Sequence, residues 1–260
     1  MAKAESPHIP EGEYPPPPPA LLEAQGIAPG ADEDGESRAL LLDLDGTLVD
    51  TAYLHALAWQ RALRAGGFDV PTYLIHRLVG MGGDQLVTAL LGESVEEEQG
   101  DDLRKGWQEQ YEPLLSEARA LPGAGQLIHG AEQAGWRVVF ASSSPAEHLE
   151  RYLDLLGAGA LRDRATTSDD VEQTKPAPDL IEVALDLAGT RRALLVGDSP
   201  HDVRAAARAG IAVVCVLTGG YSSAELTAAG AVRTYDTPEE IVRRFHELAG
   251  LLSVADGAAR

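Results

Sequence analysis

The sequence predicts an α/β fold with a mainly parallel sheet and a helical insertion. Apolar runs of strand length alternate with stretches of helical periodicity, which is typical of this fold class. In addition, the first two apolar runs are separated by far more residues than a simple crossover needs. The predicted strands are residues 39–44, 137–141, 193–196 and 211–216.

Helical patterns follow several of these strands. Residues 145–156 and 201–209 are predicted helices, and Gly210 provides a C-terminal stop for the second. No internal repeat is evident in the sequence.

The insertion after the first strand also reads as helical. Residues 53–65, 85–91 and about 95–118 show helical patterns divided by glycines. We therefore predict a small all-helical cap domain over residues 53–119, and a core formed by residues 39–52 and 120–260. Ligands of open α/β sheets bind at the carboxyl ends of the strands, so an insertion at this place would cover that site.

Residues 1–38 are polar and acidic, with a polyproline run from Pro15 to Pro19. They lack helical or alternating apolar periodicity, which predicts a disordered tail. Polyproline can be a docking ligand, but a solvated extension is the favoured interpretation.

Composition limits the possible partners. The 260 residues include 41 acidic and 21 basic side chains, and the net charge is −20. Such a charge repels nucleic acids and anionic bilayers, so we expect neither as a partner. The single cysteine, Cys215, lies in an apolar run and predicts a buried thiol in a reducing cytoplasm. We expect no membrane anchor and no export, and the sequence does not set the oligomeric state.

The first predicted strand ends in two carboxylates, Asp43 and Asp45. Residues i and i+2 share one side of a strand, so both acids can reach one space. One carboxylate can attack a substrate while the other transfers the proton. A calcium loop of the EF-hand type does not fit, because Gly46 lies at loop position four and Leu54 at the closing position.

A second acidic group follows the strand 193–196. Asp198 lies at the strand end and is predicted as a metal ligand. Ser199, Pro200 and Asp202 form a good helix start, so Asp202 is either a capping acid or a support for the metal site through water. We expect His201 to face solvent.

Converging carboxylates raise one another's pKa unless a cation neutralises them. Oxygen ligands suit Mg²⁺ better than zinc, for which the sequence offers no cluster of histidines and cysteines. The sequence therefore predicts a Mg²⁺ site.

Polar residues that could hold a phosphate follow two further segments. Ser142 lies directly at a strand end and can donate to a phosphate oxygen, and Ser143 is a further candidate for substrate binding. Ser144 matches a capping box with Glu147, which predicts a structural role. Lys175 lies in a stiff, proline-rich segment, where its charge could balance the nucleophile and the transferring phosphoryl group.

Together these segments resemble the haloacid dehalogenase-like superfamily of phosphohydrolases. The resemblance covers about residues 39–220 and is closest to members with a helical cap of the C1 type, in the phosphoglycolate phosphatase and beta-phosphoglucomutase-like branch. Residues 41–50 resemble the first motif of the family, Ser142 the second, Lys175 the third and residues 197–202 the fourth. The resemblance implies that Ser142 and Lys175 bind the phosphoryl group, and that a Rossmann-like, three-layer core carries a cap that opens and closes.

The resemblance also implies a catalytic role for each aspartate. Asp43 would attack phosphorus and become phosphorylated, while Asp45 would protonate the leaving alcohol and then deprotonate the attacking water. Mg²⁺ would be held by the side chains of Asp43 and Asp198 and the backbone carbonyl of Asp45, with Asp202 supporting them through water. The expected substrate is a small-molecule phosphate monoester.

Within the superfamily, the aspartate at position 45 favours phosphoryl transfer, since dehalogenases lack it. A sugar-phosphate mutase is the main alternative, but its cap loop carries a cation and the loop 80–84 here has none. His76 and Arg77 are the nearest possible anchors for a second phosphate. A phospho-accepting receiver module and a degenerate binding protein are weaker alternatives, because the pair Asp43 and Asp45 supplies an acid/base group of its own.

Overall fold

A six-stranded parallel sheet lies at the centre of the computed structural model, which describes residues 37–167, 170 and 174–258. The strand order is β3-β2-β1-β4-β5-β6, which is the order of the Rossmann fold. The strands are β1 (Arg38–Leu42), β2 (Trp136–Ala141), β3 (Ala165–Thr166), β4 (Ala193–Gly197), β5 (Ala212–Val216) and β6 (Arg233–Tyr235). The predicted fold class is confirmed.

Both faces of the sheet are buried, as its apolar strands predict. Along β1, Leu40 and Leu42 join the apolar cluster on one face, whereas Ala39 and Leu41 join the cluster on the other. This alternation follows from the two-residue period of a strand. Helices cover both faces and complete three layers.

Eleven α-helices are described. Four lie between β1 and β2: α1 (Ala52–Ala65), α2 (Thr72–His76), α3 (Gly83–Leu91) and α4 (Glu93–Tyr111). The others are α5 (Ala124–Gln133), α6 (Ala146–Leu155), α7 (Asp179–Ala188), α8 (Pro200–Ala209), α9 (Ser223–Ala229), α10 (Pro238–Arg243) and α11 (His246–Ala258). Short 3₁₀ segments occupy Glu112–Glu117, Gly159–Arg164 and Leu217–Gly219.

The inserted helices α1 to α4 have an apolar cluster of their own, centred on Trp59, Leu63 and Leu103. A separate cluster is what a cap domain needs, and we retain the boundaries 53–119 for the cap as a proposal. The helix predicted over 95–118 ends earlier, at Tyr111, and continues as a 3₁₀ segment. The reason is Pro113, which cannot donate the backbone hydrogen bond of an α-helix.

The predicted tail is too long by its last residue. Arg38 begins β1, is buried, and donates from Nη2 to the carbonyl of Ala134 at 2.9 Å. Residues 1–36 lie outside the described part of the chain, so the disorder predicted there stays a prediction. The predicted burial of Cys215 is confirmed, because it lies inside β5 with no exposed surface.

The strand order reverses between β1 and β4, which pair in parallel with Leu42 opposite Val196. In this fold the loops after the two central strands form the ligand crevice. The acidic segments 43–45 and 198–202 are those two loops, so the topology brings them together. Within the described ranges, no helix combines the length and the apolar character that a membrane span requires.

Candidate active site

Asp43 directly follows β1 and is held in a buried position. Its backbone N–H donates to the carbonyl of Val196 in β4 at 3.0 Å. Oδ1 lies 2.5 Å from Nζ of Lys175, and Oδ2 accepts from Oγ1 of Thr47 at 3.1 Å. Burial raises the pKa of Asp43 to about 7, although Lys175 acts in the opposite direction.

Asp198 follows β4 and lies on the other side of Thr47, whose Oγ1 also donates to its Oδ1 at 3.1 Å. Burial, with Asp202 and Asp43 nearby, raises the pKa of Asp198 well above its usual value. The loop after β5 presses against this carboxylate. A Cβ at Gly219 would lie 1.7 Å from Oδ2 of Asp198, so only glycine fits there.

Lys175 is fully buried and bridges two acids. Its Nζ lies 2.7 Å from Oδ1 of Asp202 and 2.5 Å from Oδ1 of Asp43. Burial disfavours a charged lysine, but Asp202 and Asp43 outweigh it and raise the pKa of Lys175 above its usual value. The lysine is therefore a permanent positive charge beside Asp43.

Asp202 caps α8, which is one of the two roles predicted for it, and it also contacts Lys175. Its Oδ2 accepts from the N–H of Ser199 at 3.1 Å, and its N–H donates to Oγ of Ser199 at 3.4 Å, which together form the capping box of α8. Oγ of Ser199 also donates to Oδ2 at 2.7 Å. Its Oδ1 faces Lys175. Burial alone would raise the pKa of Asp202, but Lys175 and Ser199 outweigh it and hold that pKa below its usual value.

The donor set fits a hard dication. Carboxylate oxygens of Asp43, Asp198 and Asp202 all lie within 4.8 Å of one another. Lys175 lies between Asp43 and Asp202 and balances part of their charge, whereas Asp198 has no such cation among the ion pairs of the described residues. Burial and the neighbouring acids raise the pKa of Asp198 although Lys175 acts in the opposite direction, and a cation between Asp43 and Asp198 would favour the ionised form.

Asp45 is placed in different surroundings. Oδ1 accepts from Oγ1 of Thr51 at 2.6 Å and from Nε2 of His55 at 2.8 Å, and Oδ2 accepts from Oγ of Ser144. His55 must be the donor, since an ionised carboxylate only accepts. Burial would raise the pKa of Asp45, but the electrostatic effect of His55 and these three hydrogen bonds hold that pKa well below its usual value.

The expected role of Ser144 is wrong. The N-cap of α6 is Pro145, and no side chain caps this helix. Because the Ser144 hydroxyl faces Asp45 instead, it supports a carboxylate 99 positions away in the chain. The sequence contains the capping pattern, but the helix begins one residue later than predicted, so Pro145 rather than Ser144 occupies the N-cap position.

Ser142 is fully buried at the end of β2, and its Oγ accepts from the N–H of Ser144 at 3.1 Å. This bond shapes the turn that directs Ser144 toward Asp45. Oγ of Ser143 is buried and has no hydrogen-bond partner within the described ranges. The run of three serines therefore contains one turn-forming hydroxyl, one support for Asp45 and one buried hydroxyl without a partner among the described residues.

The expectation that His201 faces solvent is also wrong, whereas the suggestion that His76 and Arg77 could anchor a second phosphate stays a prediction. Nε2 of His76 donates to the carbonyl of Gly219 at 2.9 Å, and the guanidinium of Arg77 lies over the ring of Tyr221, 4.4 Å from its centroid. His201 is buried, and its Nε2 donates to the carbonyl of Arg77 at 3.1 Å. These contacts join the inserted segment to the core.

A cavity of about 610 Å³ lies between the inserted helices and the core. Asp45, Ser143 and Ser144 form its core side. Its other wall combines two indoles, the glycine loop and two cations of α4, contributed by Trp59, Gly80, Met81, Gly82, Gly83, Arg104, Lys105 and Trp107. The loop 80–84 has no cation of its own, and the two cations of this wall lie on α4.

Several site residues were missed in the sequence. Thr47, Thr51 and His55 follow Asp43 at intervals of four, and the last two share one face at the start of α1. That spacing is the signal that could have found them. The ring of His55 stacks on those of Tyr111 and Trp107, with centroids 4.1 and 5.5 Å away.

Comparisons with known proteins agree with this geometry. A model of the haloacid dehalogenase-like hydrolase family matches residues 37–210, and a second model of HAD-like hydrolases matches residues 173–248. A phosphoglycolate phosphatase of Aquifex aeolicus is 28% identical over 186 residues, which are 70% of this chain and 85% of that protein.

Two further similarities support the same assignment. A validoxylamine A 7'-phosphate phosphatase of Streptomyces hygroscopicus is 28% identical over 70% of this chain and 86% of that protein. The crystal structure of a hydrolase from Pseudomonas syringae superposes with a TM-score of 0.77 at 32% identity, over 82% of this chain and 99% of that one. The chain belongs to the haloacid dehalogenase-like hydrolases.

Proposed function

We propose that this protein is a Mg²⁺-dependent phosphatase that hydrolyses a small-molecule phosphate monoester through an aspartyl phosphate on Asp43. The observation that carries this proposal is that two neighbouring acids, Asp43 and Asp45, have different hydrogen-bond partners. Asp43 lies against Lys175 and the acidic cluster, whereas Asp45 faces the cavity with its own three donors. Relatives named as phosphatases in Aquifex and Streptomyces support the same reaction class.

Mg²⁺ would be held by the side chains of Asp43 and Asp198 and the backbone carbonyl of Asp45, with Asp202 supporting the site through water. The bound cation would supply positive charge for the phosphoryl oxygens and lower the pKa of Asp43. Ser142, Ser143 and Lys175 are the proposed groups that bind the phosphoryl group.

In the first half of the reaction, an Oδ of Asp43 forms a bond to phosphorus while the bond between phosphorus and the ester oxygen breaks. Asp45 gives its proton to that oxygen, and the alcohol leaves. Asp45 must therefore be protonated first. A phosphate ester beside Asp45 raises its pKa, because a second anion disfavours the charged form.

In the second half, a water molecule attacks the phosphorus of the aspartyl phosphate. Asp45, now ionised, accepts the proton of the water, and the bond between phosphorus and Asp43 breaks to release inorganic phosphate. The low pKa of Asp45 suits this step, since a general base must be ionised when it acts. Lys175 stabilises the negative charge on the phosphoryl group in both halves.

The test is phosphate release from p-nitrophenyl phosphate, with Mg²⁺ or with a chelator, for the wild type and for Asp43→Asn. The substitution keeps the shape of the side chain and removes the nucleophile. We expect release that needs the metal and disappears in the variant. A stable phosphoprotein without turnover would instead support a receiver module, and interconversion of sugar phosphates without net release would support a mutase.

A further inference from the structure

The cavity beside Asp45 carries information about the alcohol part of the substrate. Resting on the function proposed above, we propose that this alcohol is an uncharged polyol of the size of a sugar ring, and that the cap selects against esters with a second anionic group. Arg104, the residue best suited to bind such an anion, already has both of its terminal guanidinium nitrogens paired with carboxylates.

The position of the cavity assigns it to the leaving group. Asp45 lines it, and in the proposed reaction Asp45 protonates the oxygen of the departing alcohol. Asp43 and Lys175, which face the phosphoryl group, are not among its lining residues. The organic part of the ester, rather than its phosphate, therefore occupies this space.

The size of the cavity favours an alcohol part larger than a two-carbon acid. Its volume is about 610 Å³, in the middle of the range of roughly 300–1,000 Å³ that suits ligands of drug size. A ring with its hydroxyl groups would use this space, whereas a glycolate would leave most of it to water.

The charges on the wall disfavour a second anion. Nη1 of Arg104 lies 2.5 Å from Oε1 of Glu96, and Nη2 lies 2.7 Å from Oδ1 of Asp101. Asp84 adds another negative charge to the same wall, and its Oδ1 accepts only a neutral hydroxyl, from Thr174 at 3.1 Å. Like charges at close range repel each other, so a carboxylate or second phosphate would be disfavoured here unless Arg104 changed partners.

Lys105 does not reverse this balance. It lines the cavity but is exposed to solvent. A flexible ammonium in water is strongly hydrated and screened by salt, and it lacks the rigid fork with which arginine binds phosphate and carboxylate.

The apolar and uncharged residues of the cavity lining suit a polyol. Trp59, Met81, Leu86 and Trp107 present apolar surface on which the carbon face of a ring can pack. Polar side chains of the lining, among them Gln108 and Thr174, can exchange hydrogen bonds with ring hydroxyls. Such a mixture of apolar surface and a few polar groups is typical of sites for uncharged ligands.

The closing experiment compares two esters of similar size. Glucose 6-phosphate carries a neutral ring, and 6-phosphogluconate carries a carboxylate at the far end of the alcohol. We expect kcat/KM of the wild type to be at least about tenfold higher for glucose 6-phosphate, and higher than for phosphoglycolate as well. Hydrolysis of p-nitrophenyl phosphate is measured in parallel as a check of the catalytic machinery.

The double substitution Glu96→Gln with Asp101→Asn should release Arg104. We expect it to lower KM for 6-phosphogluconate and reduce the preference for glucose 6-phosphate several-fold. The turnover of p-nitrophenyl phosphate should stay within about twofold, which shows that the variant is folded. The matched control is Glu98→Gln on the same helix, an exposed residue outside the cavity lining, which should leave the preference unchanged.

Two results would overturn the proposal. A wild type that hydrolyses p-nitrophenyl phosphate but prefers 6-phosphogluconate or phosphoglycolate would overturn this inference alone and leave the phosphatase assignment intact. Failure to release phosphate from any ester, p-nitrophenyl phosphate included, would overturn the proposed function and this inference with it.

Discussion

Asp43 and Asp45 are separated by one residue in the chain, but they have different charged partners and opposite pKa shifts. Asp43 lies against Lys175 in a buried acidic cluster, and burial raises the pKa of Asp43 to about 7. Asp45 accepts hydrogen bonds from His55 and two hydroxyls, and its pKa lies well below its usual value. Two identical side chains therefore receive different chemistry from their neighbours, which is how one site can hold two acids with separate roles.

The two acids also depend on different parts of the molecule. The partners of Asp43 come from the strand ends and loops of the core. His55, the imidazole partner of Asp45, comes from α1, and its ring stacks on Tyr111 and Trp107 of α4. Changes in the inserted helices should therefore alter the acid/base group and leave the nucleophile unchanged.

The largest effect is expected for Asp45→Asn. With ordinary alkyl phosphates, turnover should fall by about 10³-fold, because both proton transfers are lost. With p-nitrophenyl phosphate, whose leaving group needs no proton, Asp43 should still be phosphorylated and the phosphoprotein should accumulate. Mass spectrometry of the intact protein measures this. Equal loss of phosphorylation and turnover would contradict the division of roles between the two acids.

Lys175→Met should destabilise the fold by about 3–5 kcal/mol, because it leaves buried carboxylates without their cation. Urea unfolding in the absence of metal measures the change. Lys105→Met is the matched control, since Lys105 is exposed and should change the free energy of unfolding by less than about 0.5 kcal/mol. A small loss at Lys175 would mean that the acids around it are already neutral.

Mg²⁺ at about one hundred times its Kd should stabilise the protein by about 2.7 kcal/mol, seen as a rise of several degrees in Tm. Asp198→Asn should remove most of this rise. The same variant should raise Tm without metal, because it relieves repulsion between buried acids. Asp102→Asn, at an exposed site in α4, serves as the control. An unchanged response to Mg²⁺ in Asp198→Asn would place the cation elsewhere.

The smallest effect is expected for His55→Gln, which keeps a hydrogen-bond donor but removes the imidazole. We expect kcat to fall about 10- to 100-fold for alkyl phosphates, as for other groups that orient a catalytic residue. The fall should be much smaller for p-nitrophenyl phosphate, so the dependence of kcat on the leaving group becomes steeper. Equal losses on both kinds of ester would show that His55 acts only through stability.

Much of the core site could be predicted from the sequence because it depends on strand ends. Asp43, Asp45, Ser142 and Asp198 each follow an apolar strand, and parallel strands bring their carboxyl ends to one edge of the sheet. Capping by Asp202 could also be predicted, because its partner Ser199 is only three residues away. Local periodicity and spacing contain all of this information.

The tertiary structure alone decided the side of the site that faces the cap. Ser144 matches a local capping pattern, yet its partner is Asp45, and the cations near the cavity come from α4 rather than from the loop 80–84. Sequence periodicity shows which face of a helix is apolar but not which distant face it packs against. The two acids proposed as catalytic were therefore visible in the sequence, whereas the groups that separate their pKa values and shape the cavity required the packed structure.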